Sequence, residues 1–234
     1  ARHEQGAAHE ADGYARVSGK VGVCLATSGP GATNLVTGIM TAHMDSVPML
    51  AITGQVKSNL LGKDAFQETD IVGITVPITK MNYLVQDIKE IPRIIKEAYF
   101  IASTGRPGPV LVDIPNDIQL QEISYDEFDK LYNKKIVLEG DDPTYVGHQG
   151  QIKRSLELIK NAKKPLVIAG AGVLKAKASK ELFEFVEKTN TPVAMTLLGL
   201  GSFPGRHELS LGMLGMHGTV SANYAIDEAD LIIA

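Results

Sequence analysis

The sequence predicts an α/β protein built from two three-layer α/β/α domains whose sheets are mainly parallel. Three observations predict this fold. Short apolar runs recur along the 234 residues, stretches with helical periodicity separate them, and an acidic segment interrupts the series near the middle. Because alternating strands and helices favour parallel sheets covered on both faces, apolar runs in this order are typical of buried strands.

Six apolar runs are the predicted strands, and three periodic stretches between them are the clearest predicted helices. In a helix, apolar residues recur every three or four positions on the buried face. The predicted strands lie at residues 21–26, 49–53, 110–114, 166–169, 193–197 and 231–234. The predicted helices lie at residues 88–104, 152–159 and 180–188.

The acidic segment, residues 119–148, is the predicted linker because it has no clean apolar period. The first predicted domain therefore covers residues 1–118 and the second residues 149–234. The chain opens inside a helical pattern and closes inside an apolar run, so we expect an internal fragment. On this interpretation the first domain lacks its beginning and the second lacks its end.

The composition excludes several classes of function. The net charge is -4, from 23 basic and 27 acidic residues without a basic block, which argues against nucleic-acid or polybasic membrane binding. The apolar runs are far shorter than the roughly 20 residues of a membrane span. The one cysteine, Cys24, lies in an apolar run, which excludes an internal disulfide and fits a reducing compartment. No Cys/His spacing indicates zinc, and we predict no metal ligand in this chain.

The first motif covers residues 2–16 and places Glu4, Ala8, Ala11 and Ala15 one helical turn apart. The small residues predict a close approach to a neighbouring element. Glu4 itself has two interpretations. It is either a carboxylate stabilised by the helix dipole or a functional group.

Glycine-rich turns form the other motifs. Residues 26–34, Ala-Thr-Ser-Gly-Pro-Gly-Ala-Thr-Asn, follow a predicted strand and indicate either an anion-binding helix start or a tight turn. In the segment Gly-Arg-Pro-Gly-Pro, Arg106 is a surface cation or an anion clamp. Residues 170–172, Gly-Ala-Gly, indicate dinucleotide binding or close strand–helix packing. The cluster Met-Leu-Gly-Met-His-Gly ends the series, and its His217 is either structural or a ligand.

In this order, these motifs resemble the thiamine-diphosphate enzymes over essentially the whole chain. The residues that carry the resemblance are Arg-His-Glu-Gln-Gly-Ala, Thr-Ser-Gly-Pro-Gly-Ala-Thr-Asn, Thr-Gly-Gln-Val, Asp-Ala-Phe-Gln-Glu and Gly-Arg-Pro-Gly-Pro-Val-Leu-Val-Asp-Ile-Pro. Together with residues 197–201 and 208–218, they are most similar to the large catalytic subunits of acetolactate (acetohydroxyacid) synthases. The resemblance implies a partial pyrimidine-binding domain followed by a partial Rossmann-like domain that binds FAD.

The resemblance also implies roles for individual residues. Glu4 hydrogen-bonds the aminopyrimidine ring of the cofactor and thereby promotes loss of the thiazolium C2 proton. Gln67 lines the thiamine site, Phe66 and Pro48 line the same cavity, and Lys80 lies near the substrate channel. The implied contacts to FAD are Ser46, Arg106, Ala171, Thr196, Leu197, Leu214, Gly215, Met216 and His217.

The implied activity is the condensation of pyruvate with a second 2-keto acid, pyruvate or 2-ketobutyrate, in branched-chain amino-acid biosynthesis. The products are 2-acetolactate or 2-aceto-2-hydroxybutyrate. The implied cofactors are thiamine diphosphate, FAD and Mg²⁺, with the Mg²⁺ and diphosphate ligands in a domain outside this chain. The implied partners are a second copy, in a homodimer or homotetramer, and a small regulatory subunit. The implied location is the cytoplasm in bacteria or the plastid in plants, and we expect this chain alone to be inactive.

Three other interpretations stay open on the sequence. One is another enzyme of the same superfamily, a pyruvate oxidase or a 2-keto-acid decarboxylase. A second is an acetolactate synthase that works without FAD. The third is a non-catalytic flavin-binding module, in which Glu4 would be dispensable.

Overall fold

The computed structural model describes residues 1–134, 144 and 146–234, which form two compact units, Ala1–Pro143 and Thr144–Ala234. Both are α/β units with four-stranded parallel sheets, which confirms the predicted fold class. Part of the predicted linker, residues 135–143 and 145, lies outside the described residues. The domain limits of 118 and 149 stay predictions.

The first unit alternates helices and strands from its first turn. Its elements are α1 (Glu4–Ser18), β1 (Gly22–Ala26), α2 (Pro30–Asn34), α3 (Val36–Met44), β2 (Met49–Gln55), α4 (Ile71–Thr75), β3 (Met81–Leu84), α5 (Ile91–Ser103), β4 (Pro109–Pro115), α6 (Asn116–Gln119) and α7 (Tyr125–Tyr132). The sheet order is β1-β2-β4-β3. Short 3₁₀ turns occupy Ser58–Leu60, Val76–Ile78 and Ile88–Glu90.

Two apolar clusters cover the two faces of the first sheet. One contains the inward faces of α1 and α3 with Ile71, and it packs on alternate residues of β1 and β2. The other contains the buried face of α5 and packs on Leu50, Val110 and Val112. Cys24 is buried in the first cluster as expected, and burial raises the pKa of its thiol to about 11.

Glycine allows the close packing that the small residues of α1 predict. A Cβ placed on Gly38 of α3 would lie 2.3 Å from the Cβ of Ala8, and one on Gly22 would lie 2.0 Å from the carbonyl oxygen of Ala11. The predicted close approach of α1 to its neighbours is therefore confirmed.

The second unit repeats the architecture on a smaller scale. Its elements are α8 (Gln149–Asn161), β5 (Pro165–Ala169), α9 (Ala171–Lys175), α10 (Ser179–Thr189), β6 (Val193–Met195), β7 (Ser210–Met213), α11 (Val220–Glu228) and β8 (Leu231–Ile233), with a 3₁₀ turn at Leu197–Gly199. The sheet order is β7-β6-β5-β8. Numbered in order of appearance within this unit, the strands are arranged 3-2-1-4, as are the first four strands of a dinucleotide-binding fold.

Three details differ from the predictions. The short strands β3 and β7 were not among the predicted strands, and β6 ends at Met195 rather than at residue 197, because Thr196 caps the following turn. Within the predicted linker, residues 125–132 form α7, whose first turn is capped by the hydroxyl of Ser124.

Candidate functional site

Glu4 is the first residue of α1 and lies at the carboxyl edge of the first sheet. His3 caps the helix through its imidazole, which accepts a hydrogen bond from the backbone N–H of Gln5 at 3.1 Å. Glu4 is half-buried, and its position in the first turn favours a negative charge through the helix dipole. The structure is therefore compatible with the dipole interpretation. A functional role for Glu4 depends on the groups that surround its carboxylate.

Asn34, at the end of α2, holds the Glu4 carboxylate in place. Its side-chain amide donates to Oε2 of Glu4 at 3.1 Å. This hydrogen bond, followed by one from the backbone of Glu4 itself, holds the pKa of Glu4 below its ordinary value. The carboxylate is therefore ionised at neutral pH. Asn34 belongs to the glycine-rich motif after β1, but the sequence alone does not indicate its role, because it lies 30 positions from Glu4.

Replacing Asn34 by alanine removes the interaction that contributes most to the low pKa of Glu4. We expect the acid limb of the pH profile of kcat/KM to move to higher pH in a full-length enzyme that contains Asn34→Ala. The neighbouring change Thr33→Ala is the control, because the Thr33 hydroxyl donates to the Pro30 carbonyl and not to Glu4. An unshifted acid limb, or one displaced to lower pH, would contradict the role of Asn34.

The turn that follows β1 and the segment that carries Gln67 touch each other beside Glu4. Gly29 has a φ of 58°, and a Cβ on it would lie 2.6 Å from the carbonyl oxygen of Gln67. Gln67 also has a positive φ, 61°. A Cβ on Gly31 would lie 2.7 Å from the Thr27 methyl carbon and 3.4 Å from Oε1 of Glu4, so the turn packs closely beside that oxygen. Gln67 and Glu4, both predicted thiamine-site residues, therefore border the same turn.

The carboxyl edge of the first sheet also contains a cavity of about 670 Å³. The ends of β1, β2 and β4 and the segments that follow them line it, with Ser28, Gln55, Lys57 and Asn116 as polar lining groups. In parallel α/β sheets, ligands bind outside the carboxyl ends of the strands. The position of the cavity is consistent with that rule.

Pro48 and Phe66, which the resemblance assigns to one cavity, lie at opposite edges of the sheet. Pro48 precedes β2, and its carbonyl accepts from the N–H of Gly22, the first residue of β1. Phe66 follows β2, is 87% exposed, and precedes Gln67 at the carboxyl edge. The seven residues of β2 span roughly 20 Å. Within the described chain, these two residues therefore lie at different edges of the sheet, and the roles of both stay predictions.

Three further predicted residues meet at the amino edge of the same sheet. Ser46 is buried with a φ of 54°, and its hydroxyl accepts from Nε of Arg106 at 2.6 Å. The ammonium group of Lys80 donates to the carbonyls of Ile101 and Thr104, the latter at 2.7 Å. Lys80 therefore satisfies carbonyls at the end of α5, a structural role that the sequence analysis did not predict.

In the second unit, the predicted FAD-contacting residues gather at the carboxyl ends of three adjacent strands. Ala171 begins α9 directly after β5, and Thr196 and Leu197 follow β6. The remaining four, residues 214–217, follow β7. The structure thus brings together residues that are up to 46 positions apart in the chain, from 171 to 217.

Hydrogen bonds fix the shape of this edge. The hydroxyl of Thr196 accepts from the N–H of Gly199 at 3.1 Å, and a Cβ on Gly199 would lie 2.2 Å from the carbonyl oxygen of Ala169. The side-chain amide of Asn223 both donates to and accepts from the backbone of Gly215, each at 2.9 Å. Asn223 is a further residue that sequence reasoning missed. Leu197 and Met216 remain exposed.

The described residues contain neither a metal-binding cluster nor a membrane-spanning helix. The described part of the chain contains no group of three or more His, Cys, Asp or Glu side chains that could hold a metal ion. None of the described helices is both long and apolar enough to cross a membrane.

Comparison with known proteins gives matches along nearly the whole chain. Residues 1–74 match the family "Thiamine pyrophosphate enzyme, N-terminal TPP binding domain", and residues 152–234 match "Thiamine pyrophosphate enzyme, central domain". The sequence is 54% identical over 233 residues to a probable acetolactate synthase large subunit of Methanococcus aeolicus. It is 57% identical over 233 residues to the acetolactate synthase large subunit of Corynebacterium glutamicum.

A plant relative extends this range of organisms. The sequence is 55% identical over 238 residues to a Brassica napus protein named "Acetolactate synthase 3, chloroplastic". Each of the three alignments covers 100% of this chain. The chain spans 39%, 36% and 35% of the length of the three relatives, respectively.

Proposed function

The chain belongs to the thiamine pyrophosphate enzyme family and is homologous to acetolactate synthase large subunits, and from this we propose that it forms part of an acetolactate-forming carboligase. The proposed reaction condenses pyruvate with a second 2-keto acid, to 2-acetolactate or, with 2-ketobutyrate, 2-aceto-2-hydroxybutyrate. Its place is in branched-chain amino-acid biosynthesis. The observation that carries the proposal is the ionised Glu4 carboxylate, fixed by Asn34 beside Gly31 and Gln67.

The residues around Glu4 fit the aminopyrimidine ring of thiamine diphosphate. The ring has a basic nitrogen that, when protonated, donates a hydrogen bond to a carboxylate. Asn34 binds Oε2 of Glu4, while Oε1 lies beside Gly31. When bound, the cofactor supplies an acidic C2–H carbon that stabilises negative charge during decarboxylation. Glu4 would hold a proton on the ring nitrogen, which favours the imino tautomer of the ring, and the exocyclic nitrogen of that tautomer can accept the C2 proton.

The diphosphate group and Mg²⁺ are proposed to bind to parts of the enzyme outside this chain. The proposed assembly is a homodimer or homotetramer in which a second copy completes the site, with a small regulatory subunit as an additional partner. This arrangement is supported by the resemblance and by the fraction of the relatives that the chain spans.

FAD is proposed to bind at the carboxyl edge of the second sheet. In doubly wound sheets, dinucleotides bind at the point where the strand order reverses, which here lies between β5 and β8. Ala171 begins a helix in the glycine turn beside that point, and backbone N–H groups at such a helix start favour phosphate. The contacts of Ser46 and Arg106 with FAD stay predictions.

Replacing Gly199 by alanine tests the flavin-binding edge. The added Cβ would lie 2.2 Å from the Ala169 carbonyl oxygen, so the turn after β6 must shift. We expect the unfolding free energy to fall by about 2 kcal/mol and the purified full-length enzyme to retain much less flavin. Gly205→Ala is the control, because no atom lies within 4 Å of its added Cβ. Equal flavin absorbance in both variants would contradict the proposed position, and a colourless, active wild-type enzyme would remove FAD from the proposal.

Product identification tests the proposed reaction itself. The full-length enzyme, supplied with pyruvate, thiamine diphosphate, Mg²⁺, FAD and inorganic phosphate in air, is expected to form acetolactate. Acetaldehyde as the product would instead indicate a 2-keto-acid decarboxylase, and acetyl phosphate a pyruvate oxidase. Absence of any thiamine-dependent turnover would support the non-catalytic flavin-binding module.

A further inference from the structure

A buried polar network lies at the carboxyl end of the first sheet, on the face covered by α1, α3 and α4. Along this face, β2 presents Met49, Ala51, Thr53 and then Gln55, so its inward residues change from apolar to polar. Asp113 of β4 pairs in register with Thr53 and is 1% exposed. The proposed chemistry does not use any of the three polar residues.

Asp113 is the centre of this network. Its Oδ1 accepts from the Thr53 hydroxyl at 2.7 Å, and its Oδ2 accepts from Nε2 of Gln55 at 2.9 Å. In the described part of the chain, no lysine or arginine pairs with Asp113, and burial raises its pKa to about 6. Burying a carboxylate without a nearby cation lowers the free energy of unfolding. Packing alone therefore does not explain the presence of Asp113.

Gln55 connects Asp113 to the segment that carries the thiamine-site residue Gln67. The same Nε2 that donates to Asp113 also donates to the carbonyl of Thr69 at 2.7 Å, while Oε1 of Gln55 accepts from the N–H of Val56 at 2.8 Å. The Gln55 side chain is therefore bonded at both of its polar atoms and cannot rotate without breaking several hydrogen bonds. Thr69 is two residues from Gln67.

The start of the segment is fixed by a second carboxylate. Oδ1 of Asp117 accepts from the backbone N–H of Ser58 at 2.8 Å and from its hydroxyl at 3.0 Å. Asp117 of α6, directly after β4, therefore holds the first residue of the segment 58–69. Asp113 of β4 holds its last residue through Gln55. Between these ties, the Gln67 carbonyl lies against Gly29 in the turn beneath Glu4.

We propose that Asp113 is a positioning residue, which acts through Gln55 and the Thr69 carbonyl to hold Gln67 against the Gly29 turn in the geometry that receives thiamine diphosphate. The inference rests on the proposed function. Because Asp113 acts on the shape of the site and does not touch the reacting atoms, its loss should weaken cofactor affinity more than kcat at saturating cofactor.

Two variants of the full-length enzyme test this proposal. Gln55→Met removes the link to Thr69, and Asp113→Leu removes the carboxylate that accepts from Thr53 and Gln55. In each, we expect the thiamine diphosphate concentration that gives half-maximal activity to rise about tenfold, with kcat at saturating cofactor changed by less than about threefold. Independently of activity, we expect faster amide hydrogen exchange in residues 58–69 of the cofactor-free protein.

Glu97→Gln is the matched control. Glu97 is a buried carboxylate on α5, 7% exposed, and it accepts from Arg93 at 2.7 Å and from the Tyr83 hydroxyl. We expect this change to lower thermal stability without altering the cofactor requirement or the exchange of residues 58–69. If all three variants lose stability while the cofactor requirement and exchange stay at wild-type values, Asp113 is only structural. A fall in kcat with unchanged cofactor affinity would also overturn the proposal.

The wild-type enzyme distinguishes this inference from the function on which it rests. A wild-type enzyme without thiamine dependence would contradict the proposed function. A thiamine-dependent wild type whose Gln55→Met and Asp113→Leu variants bind the cofactor normally would contradict only the role of Asp113.

Discussion

Replacing Glu4 by glutamine in the full-length enzyme is expected to lower kcat for acetolactate formation by about a hundredfold or more. Glutamine keeps the shape of the side chain but cannot hold the ring-nitrogen proton as an ionised carboxylate does. Because Glu4 lies half-buried at the first residue of α1, the fold should persist. Steady-state kinetics at saturating thiamine diphosphate, together with thermal unfolding, measure both effects.

Glu10→Gln is the control for this prediction. Glu10 belongs to the same helix and is exposed, so the change removes an equal charge without reaching the site. We expect near-wild-type turnover. If Glu4→Gln were as active as Glu10→Gln, Glu4 would be no more than a carboxylate that stabilises the helix end, as the dipole interpretation holds.

Replacing Gly29 by alanine is expected to damage the thiamine site and the fold together. The glycine has φ 58° and ψ -120°, a conformation that L side chains rarely adopt, and the added Cβ would lie 2.6 Å from the Gln67 carbonyl oxygen. Either the turn or the Gln67 segment must move. We expect a loss of roughly 2–3 kcal/mol in unfolding free energy and a large loss of affinity for thiamine diphosphate.

Gly62→Ala separates backbone strain from the steric clash. Gly62 also has a positive φ, 73°, but no atom lies within 4 Å of its added Cβ. We expect a loss of about 1 kcal/mol in unfolding free energy and nearly unchanged cofactor affinity, as measured by chemical denaturation and cofactor titration. Equal effects of the two substitutions would show that contact between Gly29 and Gln67 is unimportant.

The sequence predicts most of the sheet framework, and the two omitted strands have clear physical reasons. The predicted strands are continuous apolar runs, because parallel strands buried on both faces need them. In β3, none of the residues from Met81 to Leu84 is fully buried, and β7 contains Gly212 at a φ of 85°. Neither presents an apolar run of the predicted kind. Both are edge strands, where one side of the ladder is unpaired.

The linker prediction overlooks α7 for a related reason. Its apolar and aromatic residues recur at helical spacing over only eight residues, and acidic residues lie between them. Phe128 and Tyr132 stack with ring centroids 5.8 Å apart, and the ammonium group of Lys96, on α5, lies 4.9 Å from the centroid of the Tyr132 ring. The stack is a contact between residues one turn apart within α7, whereas the Lys96 contact comes from tertiary packing, which local periodicity does not reveal.

For the site, the sequence provides candidate residues but not the partners that hold them. The resemblance identifies Glu4 and Gln67, and the structure places both beside the Gly29 turn. The partner of Glu4, Asn34, and the network around Asp113 depend on contacts between residues 30 to 60 positions apart. Only the fold creates such contacts. The assignment of Pro48 and Phe66 to one cavity stays a prediction, because a whole strand separates them within this chain.

The rate at which C2–H of bound thiamine diphosphate exchanges with deuterium is the most direct test of the central claim, that Glu4 activates the cofactor. The measurement compares wild-type and Glu4→Gln full-length enzyme, both saturated with cofactor and without substrate. Activation by Glu4 predicts exchange slowed in the variant by about a hundredfold or more, toward the rate of the free cofactor. Equal exchange rates in the two enzymes would contradict the role of Glu4.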